Sequence, residues 1–190
     1  PPPPPTPTHV LSSAASDVYK RQDLVHVARD NNRLNERMHQ LTLGLINTNS
    51  LIALLDTLRE HLQGEFKADT VTLRLASLPE AQARECGVDI YDPAGAELAH
   101  FDSFIKSCRP QCGRFKTEQL QYLFGDQADA IESVALVPLG HKSTYGLLAI
   151  GSQDASRFHP GMGTLFLTHL GELIGLLLAQ YLDSGNTPQN

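Results

Sequence analysis

The sequence predicts an α+β domain: an antiparallel sheet with segregated helices, preceded by a coiled-coil-type N-terminal helix. Three observations predict it. A heptad run of apolar residues opens the folded part, period-two strand patterns are interleaved with helical ones, and two strong strands flank a short polar loop near the C-terminus.

Residues 1–22 are set apart first. Pro1 to Pro5 and Pro7 form an extended polyproline tract, and Ser12 to Gln22 shows no sustained apolar period. The segment is expected to be disordered and non-native, with a proline-rich recognition arm as the alternative. The heptad helix occupies 23–47. Leu24, Val27, Asn31, Leu34, Met38, Leu41 and Leu45 follow one another at alternating steps of three and four, the spacing of a dimer seam. Asn31 falls at an a position, where paired amides fix register. The alternative is an ordinary amphipathic helix carrying one polar residue.

A domain is expected over 49–183, with 184–190 a disordered tail. Asn49 or Ser50 caps a helix whose stripe is Leu51, Leu54, Leu55, Leu58 and Leu62, ended by Gly64. Val71, Leu73 and Leu75 alternate with Thr72 and Arg74 as a half-buried strand, and Val88 to Tyr91 is a second, closed by Asp92, Pro93 and Gly95. Glu97 to Cys108 is helical and stops before Pro110. A short strand at Cys112 to Phe115 and a helix from Thr117 to Phe124 follow. Ser133 to Leu139 and Tyr145 to Ser152 then make an antiparallel hairpin around residues 140–144. The last helix, Met162 to Leu182, is apolar almost all round, which calls for cover on more than one side. His169, Gly171, Glu172, Gly175 and Gln180 interrupt it, so a buried helix is expected there and no membrane span.

Composition excludes several functions. The formal net charge is -6 and the pI about 5.7, the wrong sign for direct nucleic-acid binding. Three cysteines suggest reduced thiols in a cytoplasm rather than a disulfide framework. Cys108 and Cys112 form one close pair, and zinc needs a second; Cys86 and His100 would have to be recruited by the fold. No G-x-S-x-G elbow, Walker A or H-E-x-x-H motif occurs. No catalytic, metal or cofactor site is therefore expected.

Gly146-Leu147-Leu148-Ala149-Ile150-Gly151-Ser152, then Asp154, then Arg157-Phe158-His159-Pro160-Gly161-Met162-Gly163-Thr164-Leu165-Phe166-Leu167 resemble the closing signature of the DUF484 family. These are bacterial proteins of unknown function with a GAF-like fold. Ala28 to Asn31, Cys112-Gly113-Arg114, Leu123-Phe124-Gly125 and Ser133 to Leu139 resemble it too, so the likeness runs from about Asp23 to Asp183. Members begin with a further helical segment; here the proline and serine stretch stands in its place. The resemblance implies a GAF-like sheet with helices on both faces and helical dimerisation, and no reaction.

The loop from Gly151 to Gly163 is read as structural: Asp154 and Arg157 close it as an ion pair, Phe158 plugs it into the core, and Gly161, Met162 and Gly163 open the last helix. Its alternative is an anion site at the helix start. A GAF pocket would lie between the sheet and the Leu98 to Phe124 helices. Arg74 and Arg114 are its candidate anion partners, with Ser133 and Ser152 adding hydroxyls. The leading expectation is a non-enzymatic, homodimeric regulatory or sensory module with a small-molecule ligand and a protein partner. The rivals are a thiol enzyme resembling methionine sulfoxide reductases of the GAF fold, its cysteine activated by Arg109 or Arg114, and a structural dimerisation adaptor with a filled core.

Overall fold

Ser50, extended at φ -149°, stops one helix and starts the next: its Oγ accepts from the Ala53 N–H at 3.2 Å. In the computed structural model, which describes residues 29, 32–76, 78–90, 92, 95–140, 145–161 and 163–182, that junction joins α1 (residues 32–46) to α2 (Leu51–Gly64). The chain divides into two units, Pro1–Gln40 and Leu41–Asn190. In the first, residues 32–40 are helical, Leu34 and Met38 are half-buried, and Gln40 donates to Glu36 at 3.2 Å. Leu24, Val27, Asn31 and Met162, with residues 1–22 and 184–190, lie outside the described residues.

The second unit begins inside the expected heptad helix. Leu41 and Leu45 are 0% and 1% exposed, so this end of the stripe packs into its own chain's core and is not free to face a partner. Alongside, Gly44 lies close to Thr57 and His61 of α2, which buries the five leucines of its predicted stripe.

The sheet has five strands in the order β2-β1-β5-β4-β3: β1 (Thr70–Leu75), β2 (Asp89–Ile90), β3 (Gln111–Gly113), β4 (Ser133–Leu139) and β5 (Gly146–Ser152). It is mixed, which corrects the all-antiparallel expectation. β1 and β2 run parallel, with Arg74 opposite Asp89, because α3 (Glu80–Glu85) carries the chain back between them. No periodicity announced this six-residue helix. The hairpin pairs Ser133 with Ser152 and Leu139 with Gly146, and β4 and β5 are buried throughout.

Alternation along β4 and β5 sorts the helices onto two faces. Val134, Leu136, Leu147 and Ala149 join Leu98, Phe101, Phe104, Leu123 and Phe124 in one apolar cluster. Those partners come from a 3-10 turn (Ala96–Phe101), α4 (Asp102–Ser107) and α5 (Thr117–Phe124), so the single helix expected over 97–108 is two pieces. On the opposite face Val137 meets α6 (Leu165–Leu182) at Gly171. α6 is long and apolar enough to cross a membrane, yet it packs on β4 with only 39% of its length buried. Tyr181 at its end donates to the Thr48 carbonyl at 3.0 Å, which ties α6 to the α1–α2 turn.

Candidate functional site

The four residues proposed from sequence to hold an anion are engaged elsewhere. Arg74 projects from β1 and is mostly buried. It donates to the Tyr122 carbonyl, pairs with Asp89 at 3.1 Å, and lays its guanidinium carbon 4.0 Å from the centre of the Tyr122 ring. That set of contacts fastens β2 and α5 to β1. Arg114, just past β3, pairs with Glu132 on the surface. Three strand spacings, roughly 14 Å, separate β1 from β3, so the two guanidiniums do not converge.

Ser133 and Ser152 do come together, as a directly opposed pair 1% and 3% exposed. Ser133 spends its hydroxyl on the loop after β5, and Ser152 divides its own between that loop and Asp69. Ser133 Oγ donates to the Asp154 carbonyl at 2.6 Å and accepts from the Phe158 N–H at 3.3 Å. Ser152 Oγ donates to Asp69 at 2.8 Å and accepts from the Asp154 N–H at 3.2 Å. These are internal bonds of a fastened loop, and a buried polar group needs such partners.

The same loop corrects the expected Asp154–Arg157 pair. The Asp154 carboxylate accepts from the Ser156 hydroxyl at 2.7 Å and the Ser156 N–H at 2.8 Å, and these bonds hold it below the usual carboxylate range. Arg157 reaches instead to the Phe66 carbonyl, and only its backbone N–H bonds Asp154, at the carbonyl. Phe158 is buried, at 5% exposed. Gly151 faces Phe124 and Ile131, Gly161 lies near His159, and nothing stands within 4 Å of a side chain placed at Gly163.

Large buried side chains occupy the space assigned to a ligand. Phe101, Phe104 and Leu123 are each 1% exposed and fill the layer between the sheet and the 98–124 helices, with Phe101 and Tyr122 rings 5.4 Å apart.

The three cysteines are free. Burial pushes the Cys112 thiol up from 9.0 to about 11, and burial also raises Cys86, partly opposed by Arg59. An activated nucleophile requires the reverse shift. The Cys108 thiol donates to the Ile105 carbonyl at 3.0 Å from a left-handed backbone position, φ 47°. Among the described residues no group of three or more His, Cys, Asp or Glu side chains is placed to hold a metal.

A groove of about 520 Å³ does exist, on the other side, between α6 and the ends of β3 and β4. Cys108, Pro110 and Pro138 form one wall; Thr168, Glu172 and Leu176 form the other. It arises because Gly171 and Gly175 let the helix lie directly on the end of β4. Sequence reasoning treated Glu172 and the glycines only as interruptions of an apolar helix. The readable signal was their phase: Thr168, Glu172, Gly175 and Ala179 recur at one side of α6.

The family model described as "Protein of unknown function, DUF484" matches residues 14–183. The chain belongs to the DUF484 family. The matched range begins inside the proline and serine segment that the sequence reading set aside, and ends where the resemblance did. Comparison with curated proteins gave no match. DUF484 membership assigns no reaction.

Proposed function

We propose that this DUF484 protein is a non-enzymatic, GAF-like regulatory or sensory module that works as a cytoplasmic homodimer and acts through a protein partner. The observation that carries it is the two-sidedness of α1. One side, Leu41 and Leu45, is spent on the chain's own core, while Leu43 and Ile46 are 45% and 58% exposed. Apolar side chains left in water on a helix favour cover by a second chain, and upstream the half-buried Leu34 and Met38 carry on the stripe of Leu41 and Leu45 beyond the unit that buries it. The mixed five-stranded sheet with helices on both faces supports the GAF-like part of the reading.

The filled face favours a module whose output is a surface rather than a pocket in the expected place, and the raised thiols count against a cysteine enzyme. Native mass spectrometry of the full chain tests the dimer. Wild type is expected at twice the chain mass. Two variants, Leu34→Lys with Met38→Lys and Leu43→Lys with Ile46→Lys, avoid the buried core, and at least one pair should yield folded monomer because unpaired lysines cannot share an apolar seam. A wild-type monomer, or a dimer that survives both pairs, overturns the proposal.

A further inference from the structure

Among the described residues, the groove beside α6 offers mainly hydrogen-bond acceptors. Cys108 turns its thiol proton inward to the Ile105 carbonyl at 3.0 Å, and Thr168 turns its hydroxyl proton to the Thr164 carbonyl at 3.1 Å. What these two groups present outward is lone pairs. Pro110 and Pro138 have no N–H to offer, and the Gly140 N–H is taken by the Gly171 carbonyl. Glu172 contributes a carboxylate, acceptor-only when ionised, that makes no ion pair or hydrogen bond among the described residues. The remaining lining is mainly apolar, from the two prolines, Leu176 and Ala179, and Tyr145 adds a ring beside Gly140 and a hydroxyl able to donate or accept.

Among the described residues the site is rich in acceptors around one carboxylate, on largely apolar walls, which favours a donor that is positively charged and has an apolar body. We propose that this groove binds a small organic cation, an ammonium or guanidinium on an aromatic or aliphatic frame. Its charged head lies at Glu172, within reach of the Thr168 and Cys108 lone pairs, and its body lies along Leu176 and the prolines. A volume of about 520 Å³ accepts a ligand of that size. An aromatic wall adds attraction for a cation that a neutral ligand would lack. The groove lies wholly within the Leu41–Asn190 unit, so one chain supplies all of its lining. It supplies the sensory reading with a ligand class while resting on separate observations.

The test is an amide-shift titration of the full chain with phenethylammonium and phenylguanidinium at millimolar concentration, against phenylacetate and 2-phenylethanol. The cations should give saturable shifts at Thr168, Glu172, Leu176 and Ala179, and the anion and the neutral alcohol should be weaker. Glu172→Gln is on an exposed position and leaves the fold intact; it should weaken the cations roughly threefold, as loss of one solvent-accessible ion pair does, and leave the alcohol unchanged. No saturable shift with either cation, equal binding of the anion or alcohol, or cation affinity unchanged in Glu172→Gln overturns the proposal. The shifts report on the groove, and the dimer is read separately by native mass spectrometry, so the two proposals fail independently.

Discussion

Replacing Gly171 with alanine tests whether α6 is truly seated on the sheet, because two effects of opposite sign compete there. In a helix interior alanine is favoured over glycine by about 0.8–1.0 kcal/mol. Against this, a β-carbon at 171 would lie 2.4 Å from the Pro138 carbonyl oxygen and 2.8 Å from Val137 Cγ1, where ordinary contact begins at 3.4 Å. The carbonyl belongs to the paired backbone of β4 and cannot rotate away, so α6 must retreat by about 1 Å. A gap of that size forfeits a quarter to a half of each dispersion contact along the helix. Overpacking of this kind costs roughly 1–3 kcal/mol or more. A contact of 2.4 Å to fixed backbone puts the cost at the upper end, about 2–3 kcal/mol, so sterics outweigh propensity and Gly171→Ala should lose about 1–2 kcal/mol, a Tm lowered by about 2–8 °C for a chain of this length. Gly175→Ala meets Gly140 backbone atoms at 2.4 Å and should behave alike. Gly64→Ala is the control: nothing lies within 4 Å at the end of α2, so it should gain about 0.4–1 kcal/mol. Thermal and urea unfolding by circular dichroism, at one fixed protein concentration, reads all three. A Gly171→Ala protein as stable as wild type, or raised like Gly64→Ala, would refute the packing argument.

Other residues give sharper local tests. Leu41→Lys should lose at least about 3 kcal/mol in urea unfolding, because it puts an unpaired charge at a fully buried position. Ser133→Ala should cost about 1–3 kcal/mol by stranding the buried Phe158 N–H, with faster proteolysis of the 153–161 loop as the second readout. Cys112 should alkylate slowly at neutral pH and speed up toward pH about 11; because folding raises its pKa, the associated stability is full below 9.0 and is lost as pH rises through the folded value. Asp154 has the opposite sign: its carboxyl should titrate below 3.8 by NMR, its contribution disappearing only as pH falls through that lowered value, and Ser156→Ala should return the midpoint toward 3.8.

Local pattern determined the elements of this protein. The stripe of Leu51, Leu54, Leu55, Leu58 and Leu62 became the buried side of α2, Ser50 became its cap, and Thr117–Phe124 and Ser133–Leu139 were bounded correctly, since spacing and capping act within a few residues. The family was legible for the same reason, in contiguous words of sequence. Partnership was not legible. Arg74, Arg114, Ser133 and Ser152 read as ligand groups because their types suit anions, but hydrogen-bond partners as distant as Tyr122, Asp69 and Asp154 claimed three of them once the sheet formed, and Glu132 paired the fourth. A heptad spacing likewise states that one side of α1 is apolar without naming what covers it; only the fold gave Leu41 and Leu45 to the chain's own core. The parallel β1–β2 pairing was decided by the tertiary structure alone, and so was the far wall of the groove, whose α6 side was the only part with a readable phase. Each depends on where two distant segments come to lie, and a carbonyl 2.4 Å from a missing β-carbon has no signature in either segment taken separately.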